Sequence, residues 1–175
     1  GKAEVHLAAR GAHQAANAAA AAAAALSVDV DLADVVSALA EAPSSPWRME
    51  VGRSPGGLLV INDAYNANPA STEAALSALA AVEADRKVAV LGPMLELGSQ
   101  SVAEHRRLAG VARAAGIEVL AVGTGDYGVD PHPGADAALV ALGPLGPRDA
   151  VLVKASRAAG LERLAADLLA GAGDE

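Results

Sequence analysis

From Arg48 onward the chain switches between two hydrophobic periods. The runs "KVAVLG", "IEVLAVG" and "DAVLVKAS" are short, nearly continuous and apolar, as strands buried on both faces are. "WRMEVGRS" and "LLVIND", separated by Pro-Gly-Gly, read as a strand pair joined by a turn. Between these runs the spacing is helical. "PASTEAALSALAAVE" sets Leu76, Leu79 and Val82 on one face, and "SVAEHRRLAGVARAAG" opens with Ser101 and Glu104 at capping-box spacing and stops at Gly116. "ADAALVALG" predicts a short helix and "GLERLAADLLAG" a closing one. Strands alternating with helices predict right-handed βαβ units, hence an α/β fold with a mostly parallel sheet covered by helices on both faces.

The first part of the chain is different. "GAHQAANAAAAAAAALS" holds the best helix former at most positions, and "DLADVVSALAEAP" follows with Asp31 as N-cap, Asp34 in the first turn and Pro43 as stop. Leu32, Val35, Val36 and Leu39 have helical spacing. The stretch "PSSPW" reads as a linker. It predicts a helical segment over 1–43 and an α/β unit over 44–175, with first proteolytic nicking near Ser44 or Ser45 and a disordered "GAGDE" tail.

Composition narrows the function classes. The 175 residues are 53% hydrophobic, and the formal net charge is −8. That balance argues against nucleic-acid or anionic-membrane binding, both of which need a basic patch. The alanine run is too short to span a bilayer. Cysteine is absent, so thiol chemistry is excluded and a cytoplasmic setting fits. The four histidines, His6, His13, His105 and His132, lack HxxxH or HxH spacing, which disfavours zinc. The sequence contains no GxxxxGK[ST] phosphate loop.

Ligands of open α/β sheets bind where strand ends meet helix N-termini, so three loops matter. In "INDAYNANPAST", Asn68 as N-cap and Pro69 at the first helical position need only a helix start. Asp63, Tyr65 and Asn66 go beyond that requirement. An acid at a strand end can accept two ribose hydroxyls or can shape a turn, and both readings of Asp63 stand. "LGPMLELGSQS" reads as a linker whose Met94 and Leu95 plug the core. "LVKASRAAGLE" groups Lys154, Ser156 and Arg157 at a helix start suited to a carboxylate or phosphate, or else a capped helix with solvated cations.

Taken in order, "INDAYNANPASTEAALSAL", "LGPMLELG…EHRRLAG" and "LVKASRAAGLE" resemble the C-terminal half of the Mur ligases, in particular the member that adds D-alanyl-D-alanine to UDP-N-acetylmuramoyl-tripeptide. "GAHQAANAAAAAA" is similar to the helix that closes the family's central ATPase domain, and "WRME" to the Arg-containing strand that starts its Rossmann-like C-terminal domain. The resemblance implies an ATP-dependent ligase of peptidoglycan synthesis, monomeric and cytoplasmic. It implies that this chain carries the end of the second of three domains and all of the third, with the magnesium (Mg2+) ligands on the central domain. It places His13 and Asn17 at the adenine, and Arg48, Asp63, Tyr65 and Asn66 at the ribose and phosphates of ATP. Asn68, Lys154, Ser156 and Arg157 would face the incoming dipeptide. Replacing Asp63 is then expected to weaken ATP binding and leave the fold intact.

Three positions depart from the family pattern. Gln14 stands for an asparagine, Pro93 for the aspartate of "LGDMLELG", and Ala155 for a glycine, which is expected to restrict how closely a ligand approaches the backbone. The alternatives are a folylpolyglutamate or cyanophycin synthetase type of ligase, against which "YNANP" and "LGxMLELG" speak, and a non-catalytic nucleotide-binding or interaction module.

Overall fold

The computed structural model of the protein describes residues 2–7, 12–42 and 46–172. The chain divides into two compact units, Gly1–Pro46 and Trp47–Glu175. The expected cleavage point at Ser44 and Ser45, and the end of the expected disordered tail, lie outside the described residues.

The first unit contains helices α1 (Ala12–Leu26) and α2 (Leu32–Glu41). The turn between them places Asp29 at φ 61° and closes with Val30 N–H donating to the Ala25 carbonyl at 3.2 Å. Asp31 takes the extended N-cap conformation without a side-chain cap bond. Val35 is buried on α2.

The second unit is a five-stranded sheet: β1 (Glu50–Arg53), β2 (Leu59–Asp63), β3 (Arg86–Leu91), β4 (Glu118–Ala121) and β5 (Asp149–Lys154). The spatial order is β1-β2-β5-β3-β4. Only β1 runs antiparallel, paired with β2; the other pairings are parallel. Around the sheet lie α3 (Pro69–Ala80), α4 (Ser101–Ala114), α5 (Ala135–Leu142) and α6 (Glu162–Leu169). The period of two sends alternate residues to opposite faces. Val151 and Val153 join Val60, Val88 and Val90 beneath Ala138 and Leu142 of α5 and Leu164 and Leu168 of α6. Ala150 and Leu152 join Ile61, Ala89 and Leu91 against Leu76 and Leu79 of α3 and Leu108 and Ala112 of α4. The predicted α/β layering is therefore the observed one.

Two local expectations change. The Ser101–Glu104 capping box does not form. A 3-10 turn, Gly98–Gln100, leads into α4, so Ser101 is already helical at φ −50°, ψ −61°. Its hydroxyl donates to Asp126 at 3.1 Å instead, and Glu104 pairs with Arg107. Leu95 does not plug the core: Met94 is buried, but Leu95 is 49% exposed. Among the described residues no helix is long and apolar enough to cross a membrane.

Candidate functional site

Strands β2 and β5 are neighbours in space although β3 and β4 intervene in sequence, and their last residues, Asp63 and Lys154, are register partners. Lys154 Nζ donates to Asp63 Oδ2 at 2.5 Å and to the Asn66 carbonyl at 2.8 Å. Asp63 Oδ1 accepts the Met49 N–H at 3.0 Å. Lys154 is 1% exposed and Asp63 8%. Burial lowers the Lys154 pKa from its ordinary value, the Asp63 carboxylate opposes that fall, and the nearby Arg48 charge adds to it. Asp63 thus lies within the protein rather than open to solvent. Both of its oxygens hold protein donors: strand register aims Lys154 at Oδ2, and the Met49 N–H meets Oδ1.

A strap crosses this pair. Trp47 and Met49 both adopt left-handed backbone, at φ 60° and 51°, a conformation that strains L residues by about 1–3 kcal/mol each. Met49 is held by Asp63, and the Trp47 carbonyl accepts the Tyr65 N–H at 3.1 Å. The strap sets the Arg48 guanidinium 4.1 Å from the centre of the Tyr65 ring. Arg48 Nε is buried with no acceptor among the described residues. Arg157 lies 3.9 Å over the Trp47 ring and pairs with Glu162 at 3.0 Å, whose Oε2 is likewise buried without a partner. Trp47 carried no signal in the sequence; only its cation–π contact with Arg157 marks it.

Other predicted residues are spread around this centre. Tyr65 and Asn66 are exposed, and Asn66 Oδ1 accepts the Ala67 N–H. Asn68 Oδ1 accepts the Ser71 N–H at 2.8 Å, and the Ser71 hydroxyl answers the Asn68 N–H in a capping box. Ser156 is buried; its Oγ accepts the Leu95 N–H at 3.0 Å. Lys154 and Ser156 thus direct their polar atoms to protein groups, Lys154 to Asp63 and the Asn66 carbonyl and Ser156 to the Leu95 N–H. In the first unit Asn17 is exposed and donates to Gln14 Oε1 at 3.2 Å. The His13 side chain lies outside what the structure describes.

The loop after β3 is gripped along its length. The Gly92 carbonyl accepts the Tyr127 hydroxyl at 2.9 Å, and the Pro93 carbonyl accepts the Ser156 N–H at 3.0 Å. Met94 N–H donates to His105 Nε2 at 2.9 Å. The Ala155 Cβ packs against Gly92 and is buried.

Two buried groups give opposite signs in alkali. Lys154 is a base whose folded pKa is lowered. The unfolded chain holds that proton longer, so stability rises as pH climbs through the folded value toward 10.5. Tyr127 is an acid whose pKa is pushed well above 10.0, burial being the main cause and the Asp126 charge the second. The folded chain then holds the proton longer, so stability falls as pH passes above 10. Melting temperatures across this range should show a loss above pH 10 that shrinks in Tyr127→Phe. An identical alkaline loss in that variant would assign it to another group.

The mostly parallel sheet thus gathers an acid, a lysine and an arginine at its carboxyl edge, where open α/β sheets bind their ligands. The Mur ligase, glutamate ligase domain family matches residues 47–174, and the chain belongs to it. Its relatives are more particular. The chain is 41% identical to the UDP-N-acetylmuramoyl-tripeptide–D-alanyl-D-alanine ligase of Mycobacterium tuberculosis, over 97% of this chain and 40% of that protein. It is 36% identical to the ligase of the same name from Escherichia coli, over 94% of this chain and 38% of that protein. It is also similar to the crystal structure of MurF from Acinetobacter baumannii (TM-score 0.74, 32% identity, 94% of this chain and 39% of that one). MurF ligase from Thermotoga maritima, solved in complex with ADP, gives a TM-score of 0.69 at 25% identity, over 91% of this chain and 38% of that one. The chain thus spans about two fifths of the length of the relatives it matches.

Proposed function

We propose that this chain is the C-terminal part of a cytoplasmic, ATP-dependent ligase that adds D-alanyl-D-alanine to UDP-N-acetylmuramoyl-tripeptide. The observation that carries the reading is 41% identity to such a ligase along 97% of the chain. Residues 1–43 would close the central domain, with His13 and Asn17 toward the adenine, and the unit from Trp47 on would position ATP and the dipeptide. The tripeptide carboxylate would be activated as an acyl phosphate, and the dipeptide amine would displace phosphate from it. This domain contributes orientation and closure against water.

Arg48 is the residue best suited to the nucleotide. It is a cation whose buried Nε lacks a protein acceptor, beside the exposed Tyr65 ring. An anionic oxygen of ATP would satisfy that nitrogen, and Tyr65 and Asn66 would line its approach. No group of three acidic or histidine side chains able to hold a metal exists among the described residues. In this reading the Mg2+ ligands belong to the central domain.

The test is the full-length enzyme carrying Arg48→Ala. Loss of charge-assisted bonds should raise the Michaelis constant for ATP about ten- to a hundredfold. The melting temperature should move little, since Nε has no protein bond to lose and the contact with the exposed Tyr65 ring is worth only about 0.5–1 kcal/mol. An unchanged ATP constant would remove Arg48 from the site. Absence of any amide product from the unaltered enzyme with the D-alanyl dipeptide would remove the ligase reading itself. The isolated 175-residue chain, which has no phosphate loop, should form no amide at all; steady product from pure chain would count against this division of labour.

A further inference from the structure

We propose that His105 is a positioning residue that sets the Gly92–Leu97 loop for the incoming amine substrate; the inference rests on the ligase reading above. His105 is 1% exposed on α4. Its Nδ1 lies 2.7 Å from the Ser101 carbonyl oxygen, which can only accept. Its Nε2 lies 2.9 Å from the Met94 N–H, which can only donate. The two contacts fix one neutral tautomer, with the proton on Nδ1 and the lone pair on Nε2. No other arrangement of protons satisfies both.

The same wall grips the loop twice. The Tyr127 ring stands edge-on to His105 at 4.7 Å and 69°, and its hydroxyl donates to the Gly92 carbonyl. From the opposite side Ser156 holds Pro93 and Leu95, and the Thr72 hydroxyl approaches Met94 Sδ at 3.6 Å. The Gly92 N–H donates to the Lys154 carbonyl at 2.9 Å, which places the loop beside the Asp63–Lys154 centre. A connection between a strand and a helix does not require this many bonds.

What the loop presents is equally specific. Leu95 is 49% exposed, and the exposed Glu96 is held in left-handed backbone at φ 66°. A rigid interior with two exposed residues at its tip, one of them Glu96 in strained backbone, fits a surface that must be offered in one shape. An apolar side chain beside a carboxylate complements a small zwitterionic peptide, its methyl groups and its ammonium. The dipeptide would thus meet Leu95 and Glu96, while His105 and Ser156 act through the backbone that carries them.

The experiment uses the full-length enzyme with three variants. His105→Leu removes both ring contacts, His105→Gln keeps an acceptor near the Nε2 position, and Ser156→Ala releases the other side of the loop. His105→Leu and Ser156→Ala should raise the Michaelis constant for D-alanyl-D-alanine about tenfold or more, the scale of one lost hydrogen bond, and leave that for ATP unchanged. His105→Gln should recover most of the loss. In nitrogen-15 spectra of the parent, His105 should carry its proton on Nδ1. A folded His105→Leu enzyme with an unaltered dipeptide constant overturns the proposal, as does a fall in turnover with both constants unchanged. If His105→Leu does not fold, an unaltered dipeptide constant in Ser156→Ala, or a proton found on Nε2, overturns it as well. A parent enzyme that makes no amide from the dipeptide instead refutes the ligase reading, and the histidine spectrum remains interpretable.

Discussion

Asp63→Ala should lower the stability of the Trp47–Glu175 unit by about 3–5 kcal/mol, the usual consequence of removing one partner from a buried ion pair. The variant leaves Lys154, 1% exposed, with the Asn66 carbonyl as its one acceptor among the described residues. It also takes the acceptor from Met49 N–H and so loosens the strap that carries Arg48. The lysine can escape by losing its proton, a change its lowered pKa already favours, but a neutral amine still buries unused hydrogen-bonding capacity. Asp63→Asn should be milder, since an amide oxygen can still accept from Lys154. Adding Lys154→Met to Asp63→Ala should restore part of the loss, because no unpaired charge then remains. Urea unfolding of the parent, Asp63→Ala, Lys154→Met and the double variant measures the coupling. This differs from the expectation drawn from the sequence, in which Asp63 was a ligand whose loss spared the fold. An Asp63→Ala protein with an unshifted midpoint and weakened ATP binding would reinstate that expectation.

The reason for the difference lies in what a sequence displays. The runs "LLVIND" and "DAVLVKAS" identify two strands, and each ends in a charged residue. That the two ends meet depends on sheet order, and β5 inserts between β2 and β3 from 91 residues away. Hydrophobic periodicity reports which face a residue occupies and not which strand lies beside it. The layering was therefore legible and the ion pair was not. The strap is hidden for another reason. Left-handed backbone is usually signalled by glycine or asparagine, whereas here Trp47 and Met49 adopt it, held by bonds to the end of β2. His105 reads as one more polar residue on a helix, since its partner Met94 sits across a loop. The Ser101–Glu104 spacing promised a cap, but the 3-10 turn before it had already begun the helix.

The second large effect concerns Gly92. A Cβ built there would lie 2.6 Å from the Ala155 Cβ and 3.2 Å from Leu161 Cδ1, both in buried surroundings. Gly92→Ala should therefore destabilise the unit by about 1–3 kcal/mol, as overpacking of a closed core does, or roughly 4 °C of melting temperature per kcal/mol for a domain of this size. Ala155→Gly alone should lose about 1–2 kcal/mol, from one buried methyl and a freer unfolded backbone. If the clash is the whole problem, the double variant exchanges the positions of one methyl group. It should then be little worse than Ala155→Gly, far short of the sum of the single losses. That non-additivity is the measurement. It also explains how this chain carries alanine where the family pattern has glycine: the methyl points into the space that Gly92 leaves open. Ala155→Gly should accordingly leave the Michaelis constants for ATP and dipeptide where they are. Strictly additive losses in the pair would mean that the two backbones part to admit a second methyl, and that Gly92 is required for something other than room.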